Sequence, residues 1–535
     1  MEKILTAKID GRQMEDDFEI IDAILESRGI KDVGSFLRPS EEDLIPFDEL
    51  KNIHKAYEII DNTVENDGNF LVYFDQDNDG ICAGTIATKY LETMGANVKS
   101  YIGQGKAHGL ESLPLEELQD IDTLIIVDSI NDDVQLYQAI LDLGVTILVC
   151  DHHIIPQSLI DADLDITLVS CMDDYPNPSL SGSAVVWKVM AYVDFMNLTD
   201  YSEDLMDLAA TGLVGDMMDL SEPENRYICH EGFQRLTNQT LRKIIGSYMF
   251  NSESVAFSVS PLINACMRTN NNDIAMNMFL ADDYHEIDDL VKQAKKAKEE
   301  QKKMVDEVID SLMEQNENQL DKKCRVFFIP SAYKNLSGLL GNRLLSTIHL
   351  PLLVVHHTED GMVSGSMRAE GLTDFCKMIN DTELASSRGH ELAAGFECKE
   401  ELFEQFLEII EDVLKDIEFV TSTEADILLK ASQVNETLVR QLNALNRISG
   451  SGFKPITVMI QTDDYEASFM SQGKHSKFID NESGLLLVSW NDETWRNTPK
   501  DKCLCGIGTV SKVHYGKNNY LQLTMNDYDF TQQND

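Results

Sequence analysis

The stretch NFLVYFDQDNDGICAG, residues 69–84, is an apolar run of strand length that breaks into Asp75, Asp77 and Asp79 and then meets Gly80. Acids at alternate positions before a glycine also open an EF-hand calcium loop, whose twelfth position must be a bidentate Glu. Counted from Asp75, that position is Ile86. The loop also follows a β-branched, aromatic run and not a helix. The calcium loop is therefore disfavoured. A solvated acidic turn and the edge of an active site remain, and the rest of the chain decides between them.

The same design recurs downstream. TLIIV, residues 123–127, runs into Asp128, and TILVC, residues 146–150, runs into Asp151, His152 and His153. Between these runs lie helix-like segments. GICAGTIATKYLETMGA has apolar residues at helical spacing, and NDDVQLYQAILDLG begins with capping acids and ends on Gly144. Apolar strands alternating with helices predict a parallel sheet covered on both faces. Ligands of such sheets bind beyond the carboxyl ends of the strands, so the three acidic ends should meet at one edge. A fourth segment, LAATGLVGDMMDL at 208–220, interrupts an apolar run with Asp216, and Asp219 follows.

A buried carboxylate costs several kcal/mol unless it is paired or bound to a metal, so the converging acids point to a metal site. Carboxylates with an imidazole suit Mn2+ or Mg2+, the imidazole tilting the choice toward manganese. No cysteine is placed to favour a softer metal. Many carboxylates around one imidazole suggest two ions sharing a bridging carboxylate, about 3.5–4 Å apart, which lower the pKa of bound water and clamp a phosphoryl group.

The chain has 535 residues, enough for roughly three or four domains. It is 43% hydrophobic, with no apolar run near the ~18 residues of a membrane span. Its first residues, MEKILTAKIDGRQMEDDFE, carry charges where a signal peptide needs apolar residues. Its ten cysteines show no paired zinc spacing, and a reduced cytoplasm is expected. Cys503 and Cys505, two apart on a strand, read as buried thiols. The net charge of −48 argues against broad attraction to nucleic acid. Any such site must be a local basic groove or one where bound cations supply the positive charge.

Taken in order, DQDNDG, VDS, DHH and GLVGD resemble the four motifs of the DHH phosphoesterase superfamily. RGIKDVGSFLRPS, HGL at 108–110, SGSAVVWK at 181–188, ENR at 224–226 and PLINACMR at 261–268 resemble RecJ-type single-strand-specific exonucleases. SGLLGNRL, SGSMR and RGHELAAGF are similar to a DHHA1 domain, whose Gly-Gly-His segment contacts substrate. The tail segments SGSGFKPI, QGKHSKF and GKNNYLQLTMND are similar to that family's C-terminal OB-fold.

The resemblance implies an α/β multidomain protein: an N-terminal helical segment (1–60), a parallel-sheet DHH catalytic domain (61–283), a long linker helix (284–318), an α/β DHHA1 domain (319–420) and an OB-fold β-barrel (421–535). It implies that Asp77 and Asp79 ligate two Mn2+ or Mg2+ ions, with Asp75 a helper or ligand. Asp128 would bridge the ions, His152 and Asp216 would complete the second site, and His153 would face the scissile phosphate. Arg268, Arg368 and His390, with Gly389 beside it, would hold the phosphate backbone. The chain departs from the family pattern at Tyr73, Phe74 and Arg388.

Two further readings concern the rest of the chain. The 284–318 helix should use Leu290, Ala294, Ala297, Met304, Val308 and Leu312 as its apolar stripe, its lysines forming a solvated face with i,i+4 pairing. In the tail, ADILLK, PITVMI, GLLLVSW, LCGIGTV and NYLQLTM read as five strands. Lys474, His475, Lys477 and Phe478 are its candidates for contact with single-stranded DNA.

The function implied is a metal-dependent 5′-to-3′ exonuclease that threads single-stranded DNA between the DHH and DHHA1 lobes and releases 5′ mononucleotides, with replication or repair proteins as partners. A phosphodiesterase for short oligonucleotides or cyclic dinucleotides fits the metal site but explains the tail less well. A non-enzymatic scaffold would have lost metal ligands that are all present here.

Overall fold

The computed structural model describes residues 3–103, 109–419, 421–499, 502–515 and 518–532. The chain forms two compact units, one of Met14–Lys298 with Asn435–Ile456, the other of Met1–Gln13, Glu299–Val434 and Thr457–Asp535. No helix among the described residues is long and apolar enough to cross a membrane.

The first unit is built on a five-stranded, wholly parallel sheet in the order Asn97–Ile102, Asn69–Phe74, Thr123–Val127, Thr146–Asp151, Ile166–Ser170. Successive residues of one strand serve different cores. Phe70, Val72 and Phe74 join Ile125, Val127, Leu148 and Cys150 on one face. Leu71 and Tyr73 join Leu124, Ile126, Ile147 and Val149 on the other. Both faces are thus apolar and covered, as the uninterrupted hydrophobic runs require. The strand order reverses between Asn69–Phe74 and Thr123–Val127, and a crevice opens at such a switch point.

The departures at Tyr73 and Phe74 have structural reasons. Tyr73 lies on the face away from the Asn78–Thr93 helix, donating its hydroxyl hydrogen to Gly109 O at 2.7 Å and pairing with Ser112 Oγ at 2.9 Å. Phe74 lies against that helix at Gly84, where an added Cβ would come within 2.3 Å of its ring.

Tyr284–Glu317 is one helix of 34 residues. Ile287, Val291, Ala294 and Ala297 pack into the core of the first unit. Val305, Val308 and Leu312 pack with Phe327, Leu340 and Val354 of the second. Met304, expected in the stripe, is 38% exposed, and Val305 takes the buried place. The solvated lysine face has the expected pairing at Lys292, which meets Asp288 at 2.7 Å and Asp289 at 3.3 Å.

The second unit holds two sheets. One runs Ala385–His390, Ala393–Lys399, Met362–Arg368, Leu352–His357, Arg325–Phe328. Its edge strand is sealed by glutamines: Gln315 bonds the backbone N and O of Phe328, and Gln319 those of Val326. This covers a row of groups that would otherwise invite another strand. The other sheet has eight strands, in the order Lys3–Asp10, Thr421–Lys430, Val458–Thr462, Lys502–Tyr515, Asn518–Gln532, Leu486–Ser489, His475–Asp480, Tyr465–Met470.

The tail is thus β-rich, with three differences from the sequence reading. Tyr465–Met470 and His475–Asp480 are additional strands. Residues 3–10, expected in a helical segment, form a strand parallel to Thr421–Lys430, because Leu5 and Ala7 alternate onto Ala425 and Met459. Residues 435–456 leave the tail and join the first unit, where Leu220 N donates to Ser451 O at 3.0 Å and Arg447 Nη2 to Phe233 O at 2.6 Å. Cys505 is buried and Cys503 half-buried, both as free thiols.

Gly84→Val is expected to cost about 1–3 kcal/mol, because the Phe74 ring and the sheet behind it leave no room. Urea denaturation measures this; unchanged stability would show that the helix shifts freely on the sheet.

Candidate metal centre

Three strand ends and one helix end supply the site. Asp75 follows Phe74, Asp128 follows Val127, Asp151 closes its strand, and Asp216 caps the Met206–Gly215 helix. Asp77 is the N-cap of Asn78–Thr93, its Oδ1 accepting from Gly80 N at 3.0 Å, which places Asp79 in the first turn. Glycines permit the crowding. A Cβ at Gly182 would meet Asp128 Oδ1 at 2.6 Å, and one at Gly212 would meet Asp79 Oδ1 at 2.0 Å. Asp128 itself has φ +56°, a left-handed conformation that Asp tolerates better than most residues and that clusters at functional sites.

The ligating atoms fall into overlapping groups, each within 4.8 Å: Asp75, Asp77 and Asp128; Asp79, His152 and Asp216; Asp128, His152 and His153. His152 Nε2 lies 3.2 Å from Asp128 Oδ1 and 3.3 Å from Asp216 Oδ2. Asp128 Oδ1 and His152 Nε2 are both buried without a hydrogen-bond partner among the described residues. Two orphaned atoms aimed at the same space, one a carboxylate oxygen and one an imidazole nitrogen, match the donor types a divalent cation takes. The residues present therefore fit a pair of such cations, with Asp128 common to two of the groups.

The electrostatics agree. Burial, and then the charges of Asp79, Asp77, Asp75 and Asp151, raise the Asp128 carboxyl well above the usual range. Burial, then Asp79 and Asp77, push Asp216 up to about 8. Burial also raises Asp79, against the opposing pull of His152. These groups resist ionising together unless positive charge enters.

Sequence reasoning left three supporting groups without a role. Asp151 Oδ2 accepts from Ile130 N at 2.5 Å, and its Oδ1 accepts from His153 N at 2.6 Å and meets His153 Nδ1 at 2.8 Å. Asp151 thereby ties two strand ends together and orients the His153 ring. Burial works against it, but that pairing raises His153 to about 9. Ser129 Oγ donates to Asp75 Oδ1 at 2.8 Å. Ser183 N, in the first turn of Gly182–Asn197, donates to Asp79 at 3.2 and 3.3 Å. The motifs DHH, VDS and SGSAVVWK contain these residues, but their hydrogen bonds depend on tertiary placement.

Of the other expected contacts, Arg268 lies in the same unit, in the last turn of Ser260–Arg268, half-buried and without an ion pair among the described residues. Arg368, Gly389 and His390 lie in the second unit. Arg368 and His390 both pair with Ala393, which places them in one row across the sheet. Arg368 Nε donates to Asn342 Oδ1 at 2.6 Å, and a Cβ at Gly338 would meet its Nη2 at 2.8 Å. Gly389 has φ +139° and sits against Ala394, a position that favours glycine.

Lys474 and Lys477 lie on the second unit's other sheet, Lys474 exposed and Lys477 half-buried. Phe478 is not available for base contact: strand alternation buries it among Tyr465, Tyr528 and Phe530. His108 lies outside the described residues.

Residues 69–213 match the DHH family, N-terminal domain. It is similar along most of its length to two Bacillus subtilis proteins. One is the prophage protein YorK, named as a single-strand DNA-specific exonuclease, 25% identical over 467 residues, 80% of each chain. The other is the single-stranded-DNA-specific exonuclease RecJ, 25% identical over 459 residues, 82% of this chain and 58% of the relative. RecJ of Thermus thermophilus in complex with Mn2+ shares the fold, with a TM-score of 0.79 at 20% identity over 98% of this chain and 79% of that one.

The raised carboxyl pKa values give a signed expectation. A carboxyl raised on folding adds stability below its unfolded pKa and loses it as pH climbs through the folded value. With Asp216 at about 8, the cation-free protein should lose stability between about pH 5 and about pH 9. The rise in melting temperature produced by Mn2+ should grow over the same range, because cations take the deprotonated ligands. Thermal melts with EDTA or Mn2+ measure both; an equal Mn2+ effect at the two extremes would contradict this.

Proposed function

We propose that this chain is a metal-dependent exonuclease on single-stranded DNA, working from the 5′ end and releasing 5′ mononucleotides. The observation that carries the reading is the orphaned pair Asp128 Oδ1 and His152 Nε2 at the centre of six aligned ligands. The named activity of YorK and RecJ supports it.

On this reading Asp75, Asp77, Asp79, Asp128, His152 and Asp216 hold two Mn2+ or Mg2+ ions. When bound, these ions supply activated water and positive charge opposite the phosphoryl oxygens. Asp128, common to two of the ligand groups, would help to hold both. His153 is held by Asp151 with its side chain 43% exposed, and it donates a hydrogen bond to a non-bridging phosphate oxygen. Arg268, with no acidic partner among the described residues, offers a guanidinium fork to a neighbouring phosphate. Arg368, set by Asn342, and His390 provide a second row of hydrogen-bond donors to phosphate.

The tail favours a long substrate over a cyclic dinucleotide. Phe469 and Trp490 are 50% and 44% exposed, and Trp490 meets His475 at 4.8 Å. With Lys474 next to His475 in sequence, these rings suit base stacking along a strand. The reading includes a cytoplasmic setting, in keeping with ten free thiols, and replication or repair proteins as partners.

Digestion of 5′- and 3′-labelled single strands, duplexes and dinucleotides in Mn2+ tests the proposal. The expected result is mononucleotide release from the 5′ end of single strands, little cleavage of duplex, and a loss of about 10²–10³-fold or more in Asp128→Ala. Undiminished cleavage by that variant, or equal cleavage of duplex, would overturn it.

A further inference from the structure

A cavity away from the candidate metal centre lies in the first unit, with a volume of about 520 Å³. This is within the range of small-molecule sites. Its lining comes from the segment after the Asp17–Ser27 helix, from the turn at Ser221–Glu222 and from the helix Pro223–Gly232. None of the candidate metal ligands takes part.

Arg226 is the central group. It is 3% exposed, and its guanidinium lies 3.7 Å over the Phe36 ring and 5.1 Å from that of Phe453. Nε donates to Phe36 O at 2.9 Å and Nη1 to Ile448 O at 3.2 Å. Among the described residues no hydrogen bond engages Nη2, and no carboxylate pairs with the charge. Burial lowers its pKa to about 10. A buried cation without a counter-charge is costly, and in a chain with 92 acidic against 44 basic residues an acid could readily have been placed there.

The helix that carries Arg226 starts at the same cavity. Its N-cap, Glu222, makes no capping hydrogen bond, and Pro223 occupies the first turn. The N-terminal dipole and the free backbone donors of that turn therefore favour an anion on this side. Arg28 adds a second guanidinium, 4.6 Å from the Phe453 ring and oriented by Lys454 O and Pro455 O at 2.5 and 3.3 Å.

Two of the acids on the wall are already engaged. Asp32 Oδ1 caps Ser35 N at 3.0 Å, and Asp43 accepts from Ser35 Oγ at 2.6 Å and Ser40 N at 2.8 Å. Glu222 is different: its carboxylate is half-buried and pairs with nothing among the described residues, Arg226 included. The cavity thus presents an unpaired cation beside a helix N-terminus, an unpaired acceptor, and apolar surface from the half-buried Ile30 and Pro39. An occupant needs an anion for the guanidinium, hydroxyl or amino donors for the carboxylate and an apolar body.

We propose that this cavity binds a free nucleoside 5′-monophosphate, with phosphate at Arg226 and the helix N-terminus, sugar or base donors at Glu222 and the base over the apolar wall. The inference does not rest on the exonuclease reading, and the test below uses neither divalent cation nor cleavage, so the two fail separately.

Calorimetric titration of the full chain in EDTA, with dAMP as the probe, is the test. The expected result is one saturable site for dAMP, with adenosine and inorganic phosphate each at least ~10-fold weaker, since each supplies only part of the match. Arg226→Gln should weaken dAMP at least ~10-fold. Ile30→Trp, which fills the half-exposed wall without touching the core, should do the same and decides the matter if the arginine variant fails to fold. Absence of saturable dAMP binding, or binding unchanged in Ile30→Trp, would overturn the proposal. Equal affinity for a 5′-phosphorylated hexanucleotide would also overturn it, by making a strand end the ligand.

Discussion

Mutual repulsion among carboxylates is the constraint on which the first unit depends. The strand ends and the helix end bring Asp75, Asp77, Asp79, Asp128 and Asp216 together in a largely buried space, with one imidazole lodged among them. A folded chain gains nothing in stability from that arrangement alone. Burial and like charge raise the carboxyls, and the site retains buried atoms with no partner among the described residues. The rest of the sheet compensates: two apolar faces, each continuous across several strands, hold the edge in place against that repulsion. Stability has been given up at one edge for the capacity to bind cations, a trade common at functional sites.

The supporting groups show how the crowding is made geometrically possible. Gly182 and Gly212 remove the side chains that would meet Asp128 and Asp79. Asp151 engages both of its oxygens with the backbone and ring around it, so it acts as a fixed frame while its neighbours remain available. Asp77 is both helix cap and candidate ligand, so the helix start and the cation position are set by one carboxylate. Such outer partners orient ligands and tune their basicity.

The sheet edge was legible in the sequence because its signal is local. An uninterrupted apolar run that ends on an acid states both the strand and the direction of its end, and three such runs state a shared edge. The signals that were missed are those that depend on distant partners. The strand at Lys3–Asp10 alternates correctly but pairs with residues more than 400 positions away. Residues 435–456 look like part of the tail until Arg447 and Ser451 are seen bonded to the first unit. Phe478 has the composition of a stacking residue, but it is fully buried among other aromatic rings, and Trp490 and Phe469 are exposed instead. Arg226 belongs to a motif whose short length gives no hint that its guanidinium lies on an aromatic ring beside a cavity.

The central claim is that separate strand and helix ends build one binding site for a pair of divalent cations. Anomalous diffraction at the manganese edge, from crystals of the full chain grown in Mn2+, tests it most directly. The account predicts two peaks about 3.5–4 Å apart, both within bonding distance of Asp128. No peak at this edge of the sheet, or manganese bound only elsewhere on the acidic surface, would contradict it.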